Sequence, residues 1–444
     1  MRDSRTSART ARLAVTFDAG QLTSDGGLVW LAYADDQLGL SQGLAQQLRE
    51  WRRGPVRHPL ALVVRQRILQ IACGYEDQDD ADTLRRDPLL KLVCGRSPHA
   101  ASADLASQPT LSRLENAVDR RACYRLAYAL VGLYLQERER VGGGPPTQLL
   151  LDLDSTDDPT HGTQEGSRYH GYYRQHMYHP LLIFDGDTNQ LLTAILRHGT
   201  AHASHGVVAI VKRVVALLRA HWPQVSIQLR ADSGFAVPAL YAYCEREGIA
   251  YTIGLPPNPR LQALAAPLLA QAQQQHHQTG AKVRLAGEGQ YAADSWPQAR
   301  RVIYKAEVLE KGSNRRFVVT SRTDLEPLAL YNWYVRRGEP ELWIKDLKEA
   351  CFADRLSCHR FWANQFRLLL HAAAYWLLDT LRRALMAAGL VRLQLDTLRL
   401  RLIKIGGWVR EHLSGRSALH LHLASSHPGE PLWRLLAARF PLRE

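Results

Sequence analysis

The sequence predicts an α/β protein in which a mixed sheet flanked by helices follows a mostly helical N-terminal region, carries a β-rich insertion and ends in a basic tail. Three observations lead to this reading. Between Thr147 and Gly254, short apolar or alternating runs of strand length take turns with amphipathic runs of helix length. Gly142-Gly-Gly-Pro-Pro146 separates that stretch from a region of three-and-four hydrophobic spacing, as a linker does. The charge is uneven: of the formal +13, residues 355–444 contribute +9, from 14 Arg and Lys against 5 Asp and Glu. With 444 residues, 46% of them hydrophobic, the chain is long enough for about two to four folding units.

A net charge of +13 favours polyanionic partners, nucleic acid first and acidic membrane surfaces second. Cys73, Cys94, Cys123, Cys244, Cys351 and Cys358 form no Cys-x-x-Cys pair, so neither a zinc ribbon nor a disulfide framework is indicated, and they read as reduced, buried thiols. Residues 1–12 are polar and Arg-rich, unlike a secretory signal, and no apolar run reaches membrane-spanning length. The expectation is a cytoplasmic protein with no membrane partner.

Residues 13–35 alternate briefly and turn through Ser24-Asp-Gly-Gly27, a pattern open to a strand and turn or to a helix cap. From Pro59 to about Arg138 the spacing is helical, through Leu60, Val63, Val64, Ile68 and Ile71 and then through Tyr124, Tyr128, Val131 and Leu135. Within it, Ser107-Gln-Pro-Thr-Leu-Ser-Arg-Leu-Glu115 combines a capping serine, an early proline and a Ser112-x-x-Glu115 box. Ordinary capping explains it; a recognition helix is the functional alternative. The acidic run from Glu76 to Asp82 reads as a solvated loop or helix start.

Thr147 to Asp154 is a buried strand with Asp152 and Asp154 on one side under a period of two. Pro180 to Phe184 and Leu191 to Leu196 flank the turn Asp185-Gly-Asp-Thr-Asn189 as a hairpin. A helix from Ser204 to His221 follows, then a strand from Val225 to Ala231 that ends in Asp232-Ser-Gly-Phe235. A helix from Val237 to Glu247, stopped by Gly248, and a strand from Ile249 to Gly254 complete a β-α-β unit. Three strands, helix, strand, helix, strand, with carboxylates on the first strand and at the end of the fourth, is the layout of the ribonuclease H-like fold.

Residues 258–323 interrupt this with a helical Gln271 to Gln278 stretch and strands at Val302 to Leu309 and Phe317 to Ser321, the last two joined through Lys311-Gly-Ser-Asn314. Asp324 and Pro327 start a helix through Tyr334, and the helix from His359 to Met386, with Phe366, Leu369, Leu370, Trp376 and Leu377, closes the core. Arg399-Leu-Arg-Leu-Ile-Lys-Ile405 alternates like an amphipathic strand. The divisions are therefore 1–145, a helical DNA-binding region; 146–257 and 326–390, the two parts of the core; 258–325, the β-rich insertion; and 391–444, the basic tail.

Tyr334, Arg337, Glu341 and Lys348 stand at successive offsets of three, four and seven, sharing one side of a helix whose other side carries Trp343, Leu347 and Ala350. A stripe of hydroxyl, guanidinium, carboxylate and ammonium suits a phosphate held around a metal; a solvated charged face is the alternative. Gly338 and Pro340 lie inside it, so the stripe depends on a bend, with Pro340 in the first turn of a new helix. Phosphodiester cleavage draws on two divalent ions about 4 Å apart, held by hard oxygen ligands, and Asp154, Asp232 and Glu341 fit that role if they converge.

In this order, Asp154-Ser-Thr, Asp232-Ser-Gly-Phe235 and Tyr334-x-x-Arg337-x-x-x-Glu341-x-x-x-x-x-x-Lys348 resemble the DDE transposases of the insertion sequence four superfamily. Leu22-Thr-Ser-Asp-Gly-Gly27, Gln108-Pro-Thr-Leu-Ser-Arg113, His161-Gly-x-Gln164 and Ala363-Asn-Gln-Phe-Arg367 extend the resemblance to its insertion sequence 1380 branch, over about residues 20–390. The resemblance implies a bacterial, nucleoid-associated enzyme that moves an insertion sequence by cut and paste. It implies Asp154, Asp232 and Glu341 as ligands of two Mg²⁺ ions, with Mn²⁺ able to substitute. Asp154 is preferred over Asp152, Asp157 and Asp158 because the family carboxylate precedes a small residue and Thr. Tyr334, Arg337 and Lys348 would hold DNA, and Trp296 is a candidate to stack on a flipped base, although a packed core role suits it too. The implied partners are terminal inverted repeats and target DNA, bound by a homodimer. A nuclease without strand transfer and a DNA-binding protein with a decayed site are the alternatives. His161, His170, His176 and His179 have no zinc-ligand spacing and read as loop residues.

Overall fold

Gln148–Ser155 (β1) is the strand around which the sheet of the computed structural model is built, in a chain whose described residues are 18–412 and 418–440. Leu181–Asp185 (β2) and Leu191–Ile195 (β3) follow it as an antiparallel pair, and Ser226–Ala231 (β4) and Ala250–Leu255 (β5) lie parallel to β1 on its other side. Val283–Tyr291 (β6), Arg300–Leu309 (β7) and Gly312–Thr320 (β8) form an antiparallel meander, so that the order across the sheet is β3-β2-β1-β4-β5-β8-β7-β6. The stretch expected as an insertion thus continues the sheet, Phe317 pairing with Leu255 across β8 and β5.

Helices cover the sheet. Arg120–Gly142 (α1) packs on β3, where the Thr193 hydroxyl donates to the Ala127 carbonyl at 2.9 Å, and against Val207–His221 (α2). Pro238–Arg246 (α3) makes the β4 to β5 crossover. Pro327–Val335 (α4) and Glu339–Glu349 (α5) lead to Phe361–Ala387 (α6), buried nearly all round because it lies between β3 and the helix Leu60–Cys73. Leu149, Leu151 and Leu153 of β1 and every residue of β2 and β3 are buried, which is why these strands read as continuous apolar runs.

The Leu22 to Gly27 segment is both of the things its sequence allows. Leu22–Thr23 is a strand on the C-terminal hairpin, pairing with Trp408 and Gly407, and Gly27 caps the helix Leu28–Leu38. Gly26 and Gly27 donate to the carbonyls of Ile405 (2.7 Å) and Ile403 (3.1 Å), and a Cβ on Gly27 would overlap the Leu402 carbonyl.

Two expectations are corrected. Arg399–Ile403 is helical rather than a strand: Leu395, Leu398 and Leu402 recur at helical spacing and face the core, and that period overrides the local alternation. The Ser112-x-x-Glu115 box does not form, since the helix starts at Gln108 and Glu115 lies buried between Arg67 and Arg367. Among the described residues no helix is long and apolar enough to cross a membrane.

Candidate active site at the strand ends

β1 and β4 are parallel with Leu153 beside Ala231, so the next residues, Asp154 and Asp232, emerge abreast at the carboxyl ends of neighbouring strands. Neighbouring strands are about 4.8 Å apart, which makes the two carboxylates near neighbours. Burial, and then the charge of Asp232, push the Asp154 carboxyl up to about 7. The Ser155 N–H donates to Asp154 Oδ1 at 2.8 Å and the Gly234 N–H to Asp232 Oδ1 at 2.8 Å.

The chain then bends ahead of Pro340, as the sequence implied. α4 ends at Val335, a tight turn spans Arg336–Gly338, and α5 starts with Pro340 in its first turn. The bend lets Arg337 reach two carboxylates, with nitrogens 3.9 Å from Asp154 Oδ2 and 3.3 Å from Glu341 Oε1. Glu341 is exposed, while Trp343, Leu347 and Ala350 fill the buried side of α5, Trp343 lying 5.2 Å from Phe184. Among the described residues no three His, Cys, Asp or Glu side chains form a ready metal cluster.

Tyr334 closes the Asp232 side: its hydroxyl lies where a Cβ on Gly254 would stand, at 2.5 Å, and burial raises it to about 12. Lys348 points elsewhere. Its Nζ donates to the carbonyl and to Oδ1 of Asp157, both at 3.0 Å. Trp296 is not brought to this group; it packs on Tyr241 and Tyr291 at ring distances of 5.3 and 5.4 Å, with the Arg300 guanidinium over it, as a packed tryptophan does.

Several contributors escape sequence reasoning. Arg230, buried on β4, donates to both oxygens of Asp152 (2.7 and 2.6 Å) and to the Trp333 carbonyl (2.9 Å), so Asp152 is occupied by an ion pair that also ties α4 to the sheet. Arg315, Arg316 and Arg337 line a cleft of about 410 Å³ beside Asp232, with Phe317, Tyr331 and Tyr334. Arg315 is tied to Gln262, whereas Arg316 is exposed and belongs to none of the described ion pairs. Tyr173 sits on the hairpin Arg168–His170 and Gln175–Tyr178, and burial followed by Asp157, Asp154 and Asp232 raises its hydroxyl to about 12. His170 and His179 pack on Tyr173 at 5.1 and 5.8 Å, which gives these two histidines a structural role. A run of Tyr and His in a loop is the signal that was present for Tyr173; for Arg316 there was none.

Paired carboxylates at strand ends beside an arginine-lined cleft make up the candidate site of this α/β protein. The chain belongs to the transposase DDE domain group 1 family, whose model matches residues 6–443. No curated protein matches it. Among solved structures it is similar to a piggyBac transposase synaptic complex with hairpin DNA, seen by cryo-electron microscopy, with 11% identity and a TM-score of 0.44 over 86% of this chain and 79% of that one.

Proposed function

We propose that this protein is a cut-and-paste DNA transposase of the insertion sequence 1380 branch, cleaving at terminal inverted repeats and joining the freed 3′ hydroxyl to target DNA. The observation that carries the reading is the abreast placement of Asp154 and Asp232, with Arg337 reaching from Asp154 to Glu341. Two carboxylates crowded enough to raise one of them suit a divalent cation, and the donor set is the hard oxygen set that Mg²⁺ takes. Asp154, Asp232 and Glu341 would hold the ions, which supply charge neutralisation on the reacting phosphate and a strong nucleophile. Arg337 grips the scissile phosphate as a planar fork, and Arg316 and Tyr334 line the path of the flanking strand. Lys348 reaches that path by exchanging Asp157 for a phosphate oxygen.

The strand order β3-β2-β1-β4-β5, with β4 and β5 parallel to β1, supports a ribonuclease H-like core. The branch assignment draws support from Gln164, Asn364 and Arg367, which all clamp the loop before α6: Gln164 and Asn364 donate to the Cys358 carbonyl at 3.2 and 2.7 Å and Arg367 to the Ser357 hydroxyl at 2.8 Å. The division into a helical DNA-binding region, core, insertion and tail, and a homodimer bridging two element ends, belong to the same proposal.

The test is strand cleavage on labelled DNA carrying the repeats that flank the gene, with and without Mg²⁺. Metal-dependent cuts at the repeat boundary, lost in Glu341→Gln, are expected; cuts that persist in that variant remove the catalytic assignment, and products that are cut but never joined reduce the protein to a nuclease.

A further inference from the structure

Away from the carboxylates, α1 and α2 share a second cationic surface. Helical spacing places Tyr124 and Tyr128 in one stripe with Val131 and Leu135, yet only the latter two are buried; both tyrosines remain partly exposed. Their rings lie within 18° of parallel at 6.2 Å, and with Gln47, Arg121, Arg125 and Arg213 they line a cleft of about 490 Å³ that has no acidic residue in its wall. The Arg213 guanidinium lies 5.5 Å over Tyr128, and that of Arg120 lies 5.7 Å over Tyr124 and 5.8 Å over Trp362. Arg125 is committed to the Gln47 carbonyl at 3.1 and 2.9 Å. Arg120, Arg121, Lys212 and Arg213 are exposed and belong to none of the described ion pairs.

This arrangement selects its ligand. A guanidinium resting on an aromatic face keeps its N–H edge free for an oxyanion and is held in place by the ring. The same stacking caps the tyrosine faces, so they are poor platforms for unpaired bases. Arg121, Tyr124, Arg125 and Tyr128 share one face of α1 over about 10 Å, close to three base-pair steps of a duplex.

We infer that this surface holds the phosphate backbone of duplex DNA outside the catalytic cleft, without regard to sequence. The inference rests on the DNA-processing role proposed above and adds a contact area to it. Its test is fluorescence anisotropy of the full chain with a labelled duplex of arbitrary sequence across a salt series. Arg121→Gln with Arg213→Gln is expected to make the slope of log affinity against log salt shallower by about 2, because two phosphate contacts are lost. The thermal midpoint should not move, since both side chains are exposed. Arg246→Gln with Arg260→Gln removes two charges already paired with Glu247 and Asp294, and should leave the slope as it was. Equal slopes for the Arg121 and Arg213 double variant and a wild type that binds would overturn the inference while leaving the transposase reading in place. A wild type that binds no duplex of arbitrary sequence at any salt also overturns the inference, while the transposase reading stands or falls on the repeat-bearing DNA. A double variant that loses self-association by light scattering and keeps its slope makes the surface a contact between copies, which also ends the inference.

Discussion

At the scale of single residues, the question the sequence leaves open is which aspartate of β1 is free to act. Asp152 and Asp154 share a strand face and differ by neighbours that only pairing reveals: the register that sets Asp152 beside Arg230 sets Asp154 beside Asp232. Replacing Arg230 with Ala would leave the Asp152 carboxylate buried without its partner, and chemical denaturation should show a loss of about 3–5 kcal/mol. Asp232→Asn retains an oxygen for the Gly234 N–H but loses the charge, so strand cleavage should vanish while duplex binding persists; retained cleavage would disprove its role. Asp154 and Asp232 were legible in the sequence because each closes an apolar strand of its own. Arg230 and Arg316 were not, since their importance depends on strands brought together from distant parts of the chain.

At the scale of elements, the bend between α4 and α5 and the close approach of β5 to the Asp232 turn make opposite predictions for two glycines. Gly338 has ordinary helical backbone angles and open space where a Cβ would stand, so Gly338→Ala should raise the thermal midpoint, by the equivalent of about 0.4–1 kcal/mol, and spare activity. A Cβ on Gly254 would meet the backbone nitrogen of Ser233 at 2.9 Å and the Tyr334 hydroxyl at 2.5 Å. Gly254→Ala should therefore displace the Asp232 turn and slow single-turnover cleavage about 100-fold. In the meander, burial pushes the Glu307 carboxyl up, but Lys305, Asn314, Arg284 and Lys282 outweigh it and hold the group below its ordinary value of 4.5. The stabilisation is then full above about pH 4.5 and fades below it, because the unfolded state takes up the proton while the folded carboxylate still resists it; urea titrations should show wild type and Glu307→Gln drawing together as pH falls below 4.5. Most core elements could be read from period and turn residues. The segment Arg399–Ile403 could not, because Leu-x-x-Leu-x-x-x-Leu from Leu395 and the shorter alternation occupy the same residues, and only packing against the core decides between them.

At the scale of the whole molecule, the two ends of the described chain complete each other. Asp25 accepts from Tyr75 (2.8 Å) and pairs with Lys404 (2.8 Å), Trp30 packs on Trp433 at 5.2 Å, and the first strand has its partner in the last hairpin. Gly27→Ala would drive a methyl group into the Leu402 carbonyl and should leave little folded protein, seen as loss of the cooperative unfolding transition. No sequence pattern announces such a junction, because its two halves lie almost 400 residues apart, at Leu22 and Trp408. On the ribosome that separation becomes a delay: the segment carrying Leu22 waits, at about 5–20 residues per second, for a partner almost 400 residues further along the chain. Chains terminated ahead of Leu402 never receive it, so the helix Leu28–Leu38 stays unsealed in them and they should be cleared by proteolysis.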